Sequence, residues 1–361
     1  MSRQLFHIIV SIVLLGTVST IAPAQKSTLK NQRINGVNYL GPMYQVSEIH
    51  SISAKETIHS NWVSVVPVRL IGRNDFKLTY DAQRLRWSEG HDGILESIRA
   101  AKAEGYKVML KPHAILEKKP NNSAGQRDKA GDAIWRGDLS PIEESDWIIF
   151  ENNYRDYIIE LSHVAEIHQI ELFCIGTELR EFIINREEFW KQLITEVRSI
   201  YSGDITYSAN WDEYDKVRLW SYFDYIGIDA YFPVSDEAIP TEKNAMKSWR
   251  KIKKEIKRIS QFENRQVIFT EYGYRNVPYA GSRPWIHPQQ QDVSNHIAQN
   301  NLYTAFYRSF WNENWVAGGF LWIWDYHSSD AHTTGFSVNN KPVIDVIRHW
   351  YGYPNDDNEI D

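Results

Sequence analysis

Two rhythms of hydrophobic and polar positions alternate along the chain. Short runs that are β-branched or aromatic and apolar almost throughout recur eight times: "INGVNYL", "WVSVVPVRL", "YKVMLKPHAIL", "IELFCIGTEL", "ITYSANW", "DYIGIDAYFP", "QVIFTEYGY" and "VAGGFLWIWD". Runs without a polar face suit strands of a parallel sheet covered on both sides. Between them lie longer segments with helical spacing, among them "GHDGILESIRAAKAEG", closed by Gly105 at a C-cap position, "IFENNYRDYIIELSHVAEIHQ", "REEFWKQLITEVRSIYSG" and "NAMKSWRKIKKEIKRIS". Eight strands alternating with helices predict a single-domain α/β fold, a (β/α)8 TIM barrel. A doubly wound sheet is the alternative, but no G-x-G-x-x-G follows the first strand.

Two of these strands end unusually. In "FCIGTELREF" a buried run stops at Gly176 and Thr177 and delivers Glu178, and in "VIFTEYGYRN" Glu271 stands in the same place. A barrel of this type forms its active site at the C-terminal strand ends, so the polar and aromatic residues there are the candidates. They are Asn38, Arg69, Lys111, His113, Glu178, Asn210, Trp211, Tyr231, Glu271, Tyr272, Trp322 and Trp324. Period-2 alternation places Leu172, Cys174, Gly176 and Glu178 on one face of the fourth strand, and Val267, Phe269 and Glu271 on one face of the seventh. Two facing carboxylates suit glycoside hydrolysis, where one protonates the leaving oxygen and the other meets the developing oxocarbenium ion. A neighbouring charge and partial burial would keep the acid protonated, while hydrogen bonds from Arg69 or Tyr231 would keep the nucleophile ionised.

Composition narrows the partners. The 361 residues are 42% hydrophobic, ample for one barrel, and the net charge of -6 supplies no basic stripe for nucleic acid. Fourteen Trp and twenty Tyr offer flat faces that stack on sugar rings. The start, residues 1–24, reads as a secretory signal: Arg3, an apolar stretch from Ile8 to Val18, then Ala22-Pro23-Ala24 with cleavage after Ala24. That apolar run is shorter than the ~20 residues a bilayer-spanning helix needs, so no membrane anchor is expected after cleavage. Periplasmic or extracellular location follows as an expectation. The only cysteine, Cys174, lies inside a strand, which leaves no disulfide within the chain and no lipid-bearing cysteine at the cleavage point. Residues 25–354 are then the catalytic domain, and 355–361 an acidic flexible tail.

The order of these motifs carries a family resemblance. A Glu ending strand four, a Glu ending strand seven, a Tyr ending strand six and a Trp on strand eight resemble the retaining glycoside hydrolases of clan A. Within that clan "CIGTEL", "GIDAYFP", "FTEYGYRN", "FLWIWD" and "GFSVNNKP" followed by a closing helix resemble glycoside hydrolase family 113, known for β-mannanases, from about Asn35 to Tyr351. The resemblance implies that Glu178 is the general acid/base, that Glu271 is the nucleophile with Tyr231 bonded to it, and that Trp322 or Trp324 floors the subsite of the attacked sugar. It also implies a β-linked polysaccharide or oligosaccharide substrate, a monomer and no cofactor. One departure stands out: the wider clan places Asn before the acid/base to hold the sugar 2-hydroxyl, and this chain has Thr177. Asn210 or Lys111 is the substitute contact.

Other stretches read more plainly. "DYHSSDAH", with Asp325, His327, Asp330 and His332, lacks a fixed ligand spacing, so no metal is expected. Residues 117–139 form the longest irregular stretch and carry Trp135, which with Trp285 is a candidate platform for a distal sugar. The basic "KSWRKIKKEIKR" reads as a solvated helix face. A carbohydrate-binding barrel without catalysis is the rival from another class, and the presence of both carboxylates counts against it.

Overall fold

Two prolines divide the N-terminal part of the sheet. In the computed structural model, which describes residues 32–118, 135–289, 291–327 and 333–352, strand β1 (Ile34–Leu40) is followed by helix α1 (Ala54–Ile58) and strand β2 (Trp62–Val65). Pro67 then interrupts "WVSVVPVRL", and the chain resumes as β3 (Val68–Ile71) and β4 (Leu78–Thr79). After helix α2 (His91–Ala103), Pro112 splits the next run in the same way into β5 (Lys107–Leu110) and β6 (His113–Leu116). Proline has no N–H for the ladder, so each predicted strand breaks where its proline falls. The outer halves peel away and pair as a separate three-stranded sheet in the order β4-β3-β6.

The inner halves stay in the barrel. With β7 (Leu172–Thr177), β8 (Asp204–Asn210), β9 (Ile226–Asp229), β10 (Val267–Tyr272) and β11 (Val316–Asp325) they close a ring in the order β1-β11-β10-β9-β8-β7-β5-β2. Every neighbouring pair is parallel, and β11 closes on β1 from Ile34↔Gly318 to Leu40↔Asp325. The eight-stranded (β/α)8 barrel expected from the sequence is the fold observed. Helices α3 (Glu144–Ile167), α4 (Arg180–Asn185), α5 (Glu187–Ile200), α6 (Glu242–Glu263), α7 (His296–Phe310) and α8 (Val343–Tyr351) complete the outer layer. The chain leaves α2 through Gly105 at φ 73°, in the left-handed region where glycine carries no Cβ penalty.

The core has two compartments. Inside the barrel, Ile34, Trp62, Met109, Leu172, Cys174, Ile268 and Phe320 fill the end where the strands begin. Between barrel and helices lies a larger apolar shell rich in aromatics. Above the inner plug the barrel turns polar: Asn38, Ser64, Lys111, Ser208, Asp229 and Thr270 are fully buried. A polar layer under the C-terminal mouth is costly unless its groups are paired or used. Among the described residues no helix is long and apolar enough to cross a membrane. The signal-like residues 1–24, the tail 355–361, most of residues 117–139, and Asp330 and His332 lie outside the described residues.

Candidate active site

Both strand-end glutamates reach the mouth by broken alternation. On β10, Ile268 joins the inner plug and Thr270 the polar layer, while Phe269 packs outward on Phe306 and Phe310. Regular alternation would therefore turn Glu271 outward. The pairing register slips between Ile268 and Glu271 on one side and between Phe269 and Tyr272 on the other, which brings Glu271 in. On β7, Leu172 and Cys174 point inward but Gly176 faces Trp190, Tyr154 and Tyr207 on the helix side. Here the register slips between Cys174 and Thr177, and Glu178 adopts φ 53°. The expected single-face sets Leu172-Cys174-Gly176-Glu178 and Val267-Phe269-Glu271 are thus corrected.

Glu271 is held at both oxygens. Lys111 Nζ donates to Oε1 at 2.5 Å and the Tyr231 hydroxyl donates to Oε2 at 2.8 Å. Lys111 is fully buried, and its ammonium also lies 3.5 Å from Asp229. Burial works to lower the Lys111 pKa, but the charges of Asp229 and Glu271 outweigh it and hold the group above its ordinary range. Asp229 accepts from Ser208 at 2.6 Å and Thr270 at 2.9 Å, and burial with the Glu271 charge raises its pKa. His113 lies 3.1 Å from Lys111 Nζ and 3.3 Å from Glu271 through Nε2. Burial and the cations Lys111 and Arg136 push its pKa well down, so the ring is neutral. The ammonium can only donate, so in its contact with Lys111 the neutral ring offers Nε2 as an acceptor.

Glu178 sits in a different field. Its carboxylate accepts from Arg136 Nη2 at 2.6 Å, and its backbone N–H donates to the Ser208 carbonyl at 2.8 Å. Burial pushes its pKa up to about 7; Arg136 opposes this, and the negative charges of Asp229 and Glu271 add to it. The next residue, Leu179, donates its N–H to the Tyr207 hydroxyl at 2.7 Å, which in turn lies 2.5 Å from the buried carboxyl of Glu213. Burial pushes Glu213 up to about 8, the hydrogen bond from Tyr207 pulling the other way.

The remaining candidates divide. Tyr231, Lys111 and His113 converge on Glu271, and half-buried Trp322 stacks on His113 with ring centroids 5.9 Å apart. Asn38 is fully buried and donates to the Thr270, Phe320 and Leu321 carbonyls, tying β1 to β11 and, across the barrel, to β10. Together with His113 and Trp322 it lines a cavity of about 130 Å³. Asn210, half-buried, bonds Asp212, and Trp211 stacks on half-exposed Trp285 at 5.3 Å. Lys111, committed to buried partners, does not face the groove as a sugar contact.

Three further candidates stand away from the site. Tyr272 points outward, stacked on Phe306 at 4.4 Å with its hydroxyl between those of Tyr307 and Tyr351, because the register slip that turns Glu271 in turns its neighbour out. Trp324 is core, its indole N–H donating to the Ile52 carbonyl at 2.6 Å. Arg69 follows Pro67 out of the barrel into the small sheet, where its guanidinium lies over the rings of Tyr157 and Tyr80. Lys111 supplies the cation expected of it.

Asp229, Arg136 and Glu213 were not among the candidates. Asp229 stands within the quoted "GIDAYFP", two residues before Tyr231, and its buried acid at a strand end was the available signal. Arg136 lies in a polar stretch, where an arginine makes no pattern. Among the described residues no cluster of metal-ligating side chains is present.

A closed (β/α)8 barrel whose C-terminal mouth holds two buried glutamates in unlike electrostatic settings is the framework of a glycoside hydrolase. The chain belongs to Glycoside Hydrolase Family 113, whose family model matches residues 44–341. Among solved structures it is similar to a family 113 β-mannanase from Alicyclobacillus acidocaldarius in complex with ManMIm, with 22% identity, a TM-score of 0.73, and coverage of 90% of this chain and 99% of that one. A family 113 β-1,4-mannanase complex matches with 21% identity and a TM-score of 0.72, covering 90% of this chain and 100% of the other. A Faecalibacterium prausnitzii β-glucuronidase shares the barrel at 14% identity and a TM-score of 0.58, over 90% of this chain and 50% of that one. No curated protein matches in sequence.

Proposed function

We propose that the protein is an exported, monomeric retaining glycoside hydrolase that cleaves β-1,4-mannosidic bonds in mannan, glucomannan or their oligosaccharides by double displacement. The observation that carries this reading is the inequality of the two carboxyl groups: Glu178 holds its proton up to about pH 7, whereas Glu271 receives a hydrogen bond from Lys111 and another from Tyr231. Glu178 gives its proton to the glycosidic oxygen as the C–O bond breaks, and Glu271 attacks the anomeric carbon to form a glycosyl ester. Glu178, now a carboxylate, then takes a proton from the water that displaces Glu271. Tyr231 and Lys111 fix the attacking carboxylate, and Trp322 is the apolar surface offered to the sugar. The mannanases of similar fold and the signal-like N-terminus support the choice of substrate and the export.

Glu271→Gln tests the mechanism. Turnover is expected to fall at least ~10⁴-fold while an oligosaccharide still binds, and the first product of the wild-type enzyme is expected to keep the β configuration by NMR. An α-configured first product overturns the mechanism. Digesting mannohexaose, konjac glucomannan, xylan and cellulose separately decides the sugar, since cleavage confined to xylan or cellulose contradicts the mannan assignment.

A further inference from the structure

The acid/base pair in this site includes a cation that the reaction scheme above does not use. Arg136 reaches Glu178 from the short turn Arg136–Asp138, outside the barrel strands, and its side chain is only 13% exposed. Each residue of the segment 135–138 contributes to holding it there. Trp135 lies under the guanidinium of Arg180 at 5.5 Å, and Arg180 also pairs with Asp138 and, at 3.2 Å, with Asp212. Gly137 is pressed against Trp135 so closely that a Cβ would come within 2.0 Å of the indole. The segment is therefore latched to α4 and to the turn after β8, and the latch aims Arg136 at the acid.

We propose that Arg136 is a positioning residue for the acid/base, clamping the Glu178 carboxyl in one orientation and stabilising it as the carboxylate it becomes once its proton has gone to the leaving group. The clamp rests on the reading of Glu178 as acid/base. Its chemistry follows from the cycle. Glu178 starts each turnover protonated, loses the proton to the glycosidic oxygen and regains one from water, so a fixed positive charge favours the half of the cycle in which the carboxylate must persist. A buried acid with no such partner would keep its proton too firmly to donate it, and one exposed to water would lose it too early. Of the two glutamates only Glu178 bonds Arg136, while Lys111 serves Glu271, so each carboxylate has a cation of its own.

The test compares Arg136→Met and Arg136→Lys with wild type on two substrates, an unactivated manno-oligosaccharide and 2,4-dinitrophenyl β-mannoside, whose leaving group departs without a proton. For Arg136→Met, kcat on the oligosaccharide is expected to fall ~100-fold, with a loss at least ~10-fold smaller on the dinitrophenyl substrate. The basic limb of its kcat/KM profile is expected to move up by about one pH unit, because removing a cation raises the affinity of Glu178 for its proton. Arg136→Lys restores part of both effects. Equal losses on both substrates with an unmoved basic limb overturn the proposal, as does a loss confined to KM. Thermal melting of each variant separates misfolding from these outcomes, and Arg136→Lys carries the test if Arg136→Met does not fold.

The underlying assignment is tested apart from Arg136. Glu178→Ala on the dinitrophenyl substrate with azide is expected to form β-mannosyl azide. Absence of that product sinks the acid/base reading itself, whatever Arg136 does.

Discussion

Glu213 shows what a buried acid costs when, among the described residues, no cation is paired with it. Its carboxyl is wholly buried between Tyr207 and the Asn210 backbone N–H, and burial raises its pKa to about 8. The folded protein thus binds this proton more tightly than the unfolded chain, and stability falls as pH rises from the unfolded value of 4.5 toward 8. Glu213→Gln removes the titration while keeping the shape. Its stability relative to wild type, measured by urea denaturation, is expected to grow by roughly 3 to 4 kcal/mol between pH 5 and pH 8. A difference that stays flat across that range contradicts a protonated Glu213. Such residues explain the uneven legibility of the site. Glu178 and Glu271 were readable because a charge closing an apolar run is anomalous. Asp229 and Glu213 are equally buried, yet Asp229 stands beside the more conspicuous Tyr231 and Glu213 follows a strand in a polar turn.

Strands explain the misread side chains. Period-2 counting assumes an unbroken ladder, and in β7 and β10 the ladder slips just where the catalytic candidates stand. Period-2 counting puts Phe269 and Gly176 on the wrong face for that reason, and Arg69 leaves the mouth because Pro67 ends the barrel strand beneath it. The eight-strand pattern itself was legible, since doubly covered strands are apolar throughout. Gly176 illustrates what the slip demands. A Cβ there would meet Trp190 at 2.7 Å and Tyr154 and Tyr207 at 3.0 Å, and Tyr207 is the group that holds Leu179 beside Glu178. Gly176→Ala is expected to cost ~1–3 kcal/mol by overpacking and to lower kcat as well. Urea midpoints together with steady-state kinetics check both parts, and an unchanged midpoint contradicts the packing described.

The barrel as a whole can be followed through its one thiol. Cys174 sits in the inner plug with Leu172 and Ile268, and burial pushes its pKa up to about 11. A disulfide reagent such as dithionitrobenzoate is expected to leave native protein unmodified and to react at the rate of global unfolding, since only the thiolate attacks and only an opened barrel exposes it. Labelling faster than unfolding measured by fluorescence would mean that the inner plug opens locally.

The seam between β1 and β11 also bears on how the molecule is made. These are the first and last strands of the ring, and Tyr351 of α8 anchors β1 there, its hydroxyl donating to the Gly36 carbonyl while its own carbonyl accepts from Asn35. A nascent chain that has not yet emerged past residue 316 carries two raw sheet margins, on β1 and on β10, each able to recruit a strand from another molecule. Partly folded chains therefore stay adhesive until β11 docks between these margins, and helix α8 then fastens β1 in the closed ring.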